Sequence, residues 1–407
     1  MKIQFNKIFG AHNKTIDLES SNSENETGKM INKDSDDKIE GKLEEEYYIA
    51  SQWKLMIRKL KKHKLARIST VILLILYLQA LFAQFLAPQG LTSYDSKYMN
   101  CPPMGIHFFD KEGKFHLRPF VYGYKFEKDP VTLRKIYSID PNIKYPVKFF
   151  VKGEKYKFLG LIESDLHLFG VDEPGEIFLF GTDNMGRDLF SRILLGSQIS
   201  LTVPIVGMLI SFVLGVIIGG ISGYFGGFID NIIQRIIEIL RCFPTLPLWM
   251  TLSAAIPPQV PVEKIYLYIT IILSFIEWTG LARVVRSQFL SLKKEDYVMA
   301  AKIAGVNNFK IILVHLVPGF MSYLIVNMTL GIPSMIIGET SMSFLGLGIR
   351  SPATSWGVLL QEAQEIQNVA LYPWKLIPLI YVILAVLVFN FFGDGLRDAA
   401  DPYKQLS

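Results

Sequence analysis

Three carboxylates stand within long apolar stretches: Glu238, Glu277 beside Trp278, and Glu339. A charge in an apolar medium is costly and needs a partner or an aqueous path, so each is a candidate for lining a polar route through that medium. Glu238 lies three residues from both Arg235 and Arg241, so pairing along one helix is its competing use. For Glu277 and Glu339 a hydrogen bond to a neighbouring helix is the alternative. No metal site and no cofactor is expected. Neither G-x-x-x-x-G-K-[S/T] nor H-E-x-x-H nor G-x-S-x-G occurs, so the chain is expected to hydrolyse neither ATP nor anything else by itself. The two cysteines, Cys101 in a polar segment and Cys242 in an apolar one, are too few for a disulfide framework and are expected to be unpaired.

These residues sit in long apolar elements. Half of the 407 residues are hydrophobic, 13% are aromatic and 19% are charged. Soluble domains carry about 25% charged residues. The mean hydropathy of +0.30 averages a polar first fifty residues with 199–393, much of which is nearly charge-free. A single soluble globule and a wholly disordered chain are both excluded. Six apolar segments are long enough to cross a bilayer: about 68–87, 199–222, 232–256, 264–282, 320–345 and 374–393. Pro244 and Pro247 predict a kink in the third. The net charge of +5 is too small to suggest nucleic acid, but its placement is informative. Lys54 to Arg67 form one basic cluster and Arg283 to Lys310 another, and the positive-inside rule sets both in the cytoplasm. An even number of crossings then places both termini there too, in a multi-pass cell-membrane protein.

Residues 1–50 read as a disordered cytoplasmic tail without an apolar core, hence without a cleavable signal peptide. Residues 51–87 read as a basic amphipathic surface helix, over 51–67, running into the first span. Residues 88–180 are too long for a bare loop and read as a small external β-rich domain between the first two spans, one that docks or gates a partner at the outer mouth. Alternation over Lys144–Val151 and Tyr156–Leu161 predicts a hairpin turning at Gly153-Glu154, and a second is expected around Asp110–Gly113.

Two polar stretches carry more information. Glu295-Asp296-Tyr297-Val298-Met299-Ala300-Ala301-Lys302-Ile303-Ala304-Gly305 predicts a short helix stopped by a left-handed glycine. Asn307 or Asn308 then caps a second helix, whose Phe309, Ile312, Leu313 and Leu316 form one apolar stripe before Pro318 ends it. Such a unit can dock as a knob into another protein, and the small Ala300, Ala301 and Ala304 permit close approach. The second stretch, Phe180 to Arg192 (FGTDNMGRDLFSR), leads into the second span. There Thr182 and Asp183 suit a turn, Asp188 suits the start of a helix, and Arg187 and Arg192 suit carboxylates or headgroups.

The first stretch resembles the EAA loop of ABC importer permeases, with Met299 standing where that family often has Glu, and Glu295 and Asp296 as the nearby acids. The second resembles the GTDxxGRDxxSR signature of dipeptide and oligopeptide permease C-type subunits, carried here by Gly181, Thr182, Asp183, Gly186, Arg187, Asp188, Ser191 and Arg192. Gly223 to Gly227 with Asp230, Leu281-Ala282-Arg283 with Arg286, Glu339 to Gly348, Trp356-Gly357 and Gly393 to Asp398 add to the resemblance, which covers roughly 53–86 and 180–402. It implies an all-α polytopic membrane protein with the six-helix type I importer permease fold over 181–398. It implies an ATP-driven importer of di- or oligopeptides, working with a second permease subunit, two ATP-binding subunits that hold the ATP, and an external binding protein. The loop 291–318, with Glu295, Asp296, Ala300, Ala301, Gly305 and Pro318, would engage the ATP-binding subunits. Related systems import nickel, haem, glutathione or oligosaccharides. From another class, an ion-coupled transporter or channel would show inverted repeats, and none is visible.

Overall fold

The computed structural model describes residues 52–401 except Leu133, Leu159, Pro258 and Ser351. The expected tail over 1–50 lies outside them. The chain divides into two units, Met1–Ile57 and Arg58–Ser407; among the described residues the second contains the β insertion and the long apolar helices.

The basic segment forms α1 (Gln52–Lys62) and stops there. His63 caps α2 (Lys64–Leu81) by accepting the Ala66 amide at 3.1 Å. The surface helix expected over 51–67 is therefore shorter, and Lys64 and Arg67 belong to the first turn of the span. At about 1.5 Å per residue, 18 residues reach roughly 27 Å, close to a hydrocarbon core. A short α3 (Ala83–Leu86) follows.

The insertion is β-rich as expected, with two sheets. In one, β1 (His107–Phe109), β2 (Phe115–Lys128) and β3 (Lys135–Pro146) lie antiparallel in that order; in the other, β4 (Lys148–Phe158) pairs with β5 (Ile162–Gly170). The expected turn around Asp110–Gly113 joins β1 to β2. The Asp110 carboxylate seals it, accepting the Glu112 and Lys114 amides and taking His116 and Lys144 as side-chain partners at 2.9 and 3.1 Å. The turn expected at Gly153-Glu154 is not there. β4 runs through it and the hairpin reverses after Phe158, while Lys144–Pro146 belong to β3. The cause is His167. Its ring occupies the space a Cβ at residue 153 would need, 2.6 Å away, and it bonds the Glu154 and Ala87 carbonyls. Gly153 thus marks a bulge and a close approach, not a reversal.

The membrane part follows from α4 (Leu189–Phe225), α5 (Gly227–Cys242), α6 (Thr245–Ala254) and α7 (Val262–Leu292). Among the described residues five helices are long and apolar enough to cross a membrane, and α5 with α6 form a pair bent by 86° at Phe243-Pro244, far sharper than the kink expected. Whether that pair crosses is decided by the packing of α4 on α7. Gly207 meets Ser274, Gly215 meets Leu281, Gly219 meets Ala282 and Gly223 meets Arg286, so the two helices run parallel. Parallel α4 and α7 require the segment between them to carry the chain back across, so the broken pair is a crossing and the described residues make six. A Cβ at residue 219 would strike the Ala282 carbonyl oxygen, which shows how tightly these backbones approach.

After α8 (Asp296–Ile303) and α9 (Asn308–Lys310) come α10 (Met321–Phe344), α11 (Trp356–Ala363), α12 (Ile366–Leu371) and α13 (Ile377–Ala400). α10 runs antiparallel to α4, with Glu339 by Ser200 and Gly331 by Met208. α13 runs antiparallel to α2, with Gly395 by Ala66 and Phe389 by Tyr77. The start of α2, the end of α13 and α8 therefore lie at one face (the loop face), and the β insertion lies at the other. The main core, with Ile193, Leu201, Ile269, Leu273, Met335 and Trp356, fills the space between these helices.

Candidate functional site

At the loop face, α8 ends in a Schellman arrangement. Gly305 takes φ +74°, the Gly305 amide donates to the Lys302 carbonyl at 3.0 Å, and the Val306 amide donates to the Ala301 carbonyl at 3.1 Å. Asn307 then caps α9 by accepting the Phe309 amide at 3.0 Å. The helix–glycine–helix unit stands as expected. Beyond it the register changes. Residues Ile311–Leu316 form a π-helix, with the Val317 amide bonded to the Ile312 carbonyl, and a 3₁₀ turn holds Pro318. Pro318 lacks an amide and crowds the preceding turn, so the wider turn accommodates it without ending the helical run. The widening also breaks the expected stripe: Ile311 and Leu316 are buried, whereas Phe309 and Leu313 are exposed.

α8 is held from below by Val298, buried among Phe289, Ile311, Leu316, Val317 and Phe320. Tyr224 donates to Asn308 at 2.6 Å and lies under the Lys302 ammonium at 5.2 Å. Behind it Arg286 clasps Asp230 through two bonds of 2.5 and 2.6 Å, while Ser222 also donates to Asp230 at 2.5 Å. Outward, the unit presents Glu295, Asp296, Met299, Ala300, Ile303, Ala304 and Phe309, all exposed. Ala301 is turned half inward against the cluster around Val298, so of the alanines it is the one that serves internal packing.

At the insertion face the signature residues build a lock between segments distant in sequence. Gly186 takes φ +83° where a Cβ would strike the Asp95 carbonyl oxygen, and Gly181 takes φ +75° against the Cys101 carbonyl. Thr182 accepts the Cys101 amide at 2.7 Å and donates to the Tyr98 carbonyl. Asp188 caps α4, accepting the Ser191 amide at 2.8 Å and its hydroxyl at 2.5 Å; burial pushes its carboxyl up to about 7 against these bonds. Asp183 accepts from Arg187 and Arg192 at 2.6 Å each. Both arginines also reach Glu362 of α11, Arg192 with 2.5 and 2.9 Å bonds and Arg187 at 3.1 Å. Lys375 donates to Asn100 at 2.5 Å and to Asn184. The arginines thus pair with carboxylates, not headgroups. Sequence reasoning misses Glu362 and Lys375 because their partners lie 170 or more positions away; the signal was a charge at the edge of an apolar run.

The three carboxylates in the apolar stretches take separate places. Glu238 is exposed and pairs with Arg235 at 2.6 Å. Glu277 is half-buried on α7, with Arg241 of α5 as the charge acting on it. Glu339 is fully buried and joins α10 to α4, accepting from Ser343 at 2.8 Å and Ser200 at 3.4 Å. Both cysteines are free, Cys101 buried and Cys242 exposed.

Residues 211–404 match the family described as binding-protein-dependent transport system inner membrane component, and residues 51–103 match the N-terminal TM domain of oligopeptide transport permease C. The oligopeptide transport system permease protein OppC of Escherichia coli (strain K12) is 40% identical over 224 residues, 55% of this chain and 72% of that protein. The dipeptide transport system permease protein DppC of Lactococcus lactis subsp. cremoris (strain MG1363) is 33% identical over 354 residues, 85% of this chain and 89% of that protein. The chain belongs to the inner membrane components of binding-protein-dependent transport systems. Within them it is a permease of the C type found in oligopeptide and dipeptide systems.

Proposed function

We propose that this chain forms half of the translocation pathway of an ATP-driven peptide importer and couples it to ATP hydrolysis through α8. The observation that carries the coupling is the helix–glycine–helix unit, pinned by Val298 and Tyr224 yet exposing Met299, Ala300 and Ile303 of α8 and Phe309 of α9, which alone would be poorly placed apolar surface. A rigid apolar knob at the loop face fits a groove on an ATP-binding subunit, two of which would serve this chain and a second permease subunit. The chain enters α2 and leaves α13 on that same face, which makes it the cytoplasmic one under the basic-residue rule. The β insertion then stands at the opposite mouth, where an external binding protein would deliver di- or oligopeptides, and the insertion docks that protein or gates the opening. Glu277, half-buried beside the broken third span, is the carboxylate best placed for a polar pathway; Glu238 and Glu339 serve ion pairing and helix packing.

The test is reconstitution of the purified assembly in proteoliposomes with internal ATP and a labelled dipeptide or oligopeptide delivered by its binding protein. Accumulation that requires ATP and is lost on Ala300→Arg supports the proposal. Accumulation driven equally by an ion gradient without ATP would replace it with a secondary transporter.

A further inference from the structure

The tip of the β4–β5 hairpin is apolar and bare. Leu161 is 84% exposed and Ile162 is 64% exposed, and Phe150, farther up β4, is 64% exposed. Its position relative to α2 is fixed by a ladder of contacts. Toward the base of the hairpin, where His167 pairs with Val151, the His167 ring bonds the Ala87 carbonyl at 2.6 Å. Beside it, Phe150 sits by Phe85, with ring centroids 6.3 Å apart. At the tip, Phe158 stacks on Phe82 at 5.7 Å with the planes 25° apart. From the base of the hairpin to its tip the partners on the other segment therefore shift from Phe85 and Ala87 back to Phe82, the residue that ends the membrane helix α2. The hairpin points at the bilayer, not away from it.

The face of α2 that ends at Phe82 is itself bare and apolar, with Ile68, Val71, Ile75, Leu78 and Phe82 all exposed. α2 packs on α4 and α13 through its other side, so this outward face has lipid as its solvent. The stacked Phe82 and Phe158 rings make one continuous apolar surface from that face to the hairpin tip. Just behind the tip, Lys157 and Glu163 form an exposed ion pair at 3.7 Å, and Lys155 is exposed as well. An apolar end followed within one or two residues by charged side chains matches a segment seated at the headgroup–acyl boundary, about 5–10 Å deep.

We infer that the β4–β5 hairpin is a lipid-binding wedge: Phe158, Leu161 and Ile162 insert into the bilayer interface beside α2, and the occupant of this surface is phospholipid. The wedge fixes the insertion against the membrane while the rest of its surface stays in water. It needs only the membrane-spanning character of α2, and does not depend on the cargo or on the coupling proposed for α8.

The test uses the full chain, with the subunits that co-purify with it, in phosphatidylcholine nanodiscs. Cys242→Ser removes the exposed native thiol, and Cys101 is buried. Leu161→Cys and Ile162→Cys carry an environment-sensitive fluorophore; Val131→Cys, 88% exposed on the β2–β3 loop, is the aqueous control. All three positions are open, so labelling leaves packing intact, and each labelled protein must elute like the parent. At positions 161 and 162 a nitroxide near the head of the acyl chain should abolish most of the emission, and iodide should quench several-fold less than at 131. Iodide quenching equal to the control with no nitroxide effect would overturn the wedge by placing it in water. Protection from both quenchers would overturn it in favour of a protein partner.

Discussion

Glu362→Ala removes the α11 carboxylate that accepts three bonds from Arg192 and Arg187. The Arg192 side chain is 3% exposed, and its Nε already has no partner. After truncation Asp183 remains as the carboxylate shared by both guanidinium groups. Removing one member of a fully buried pair costs about 3–5 kcal/mol. Glu362 itself is 29% exposed, so water can reach the vacated place, and Asp183 still neutralises part of the charge. These reduce the loss to about 2–3 kcal/mol. Glu362→Gln keeps the shape and one acceptor oxygen, and should lose roughly half as much. Chemical unfolding of the purified protein in nanodiscs, followed by tryptophan fluorescence, reads the change. Trp356 of α11 and Trp374 near Thr182 both report on this region. A Glu362→Ala protein within about 0.5 kcal/mol of the parent, the range of ordinary surface changes, would refute the lock.

Gly305→Pro should destroy the α8–α9 unit, because φ +74° is closed to proline; uptake should vanish while the protein remains in the membrane, as immunoblotting of membrane fractions checks. Ala301→Arg should lower yield by disturbing the cluster around Val298, whereas Ala300→Arg should leave yield unchanged and block uptake. A maleimide added to the intact protein should label Cys242 and spare Cys101, whose thiol is buried and pushed up to about 12 by desolvation. Hydrogen bonding from His116 and Lys114, with Lys144 beside it, holds the Asp110 carboxyl below the usual aspartate range. Its support for the insertion is therefore complete above about pH 4 and lost as pH falls through the lowered value, so Asp110→Asn should flatten the acid dependence of insertion unfolding measured by tyrosine fluorescence.

The spans, the glycine-stopped helix at 295–305 and the β character of the insertion were legible because each depends on local sequence: apolar length, a capping residue, alternation. What was not legible depends on partners far away. Gly153 carries a turn signal, but His167, closing on Ala87, makes it a bulge. The Phe309–Leu316 stripe assumes 3.6 residues per turn, and the π-helix before Pro318 changes that period. Pro244 announces a break between α5 and α6 but carries no measure of its size, which is 86°. The arginines at 187 and 192 were visible as charges seeking carboxylates, but nothing local points to Glu362.

The claim that α8 is the coupling element is tested most directly by cross-linking. With Cys242→Ser as background, Ala300→Cys is paired with single cysteines along the groove of the co-purifying ATP-binding subunit, and uptake is measured before and after oxidation. The account predicts a specific cross-link at residue 300 that stops ATP-dependent uptake and is reversed by reductant. A cysteine at 300 that stays open to maleimide in the assembled transporter, with no cross-link to that subunit and undiminished uptake, would contradict it.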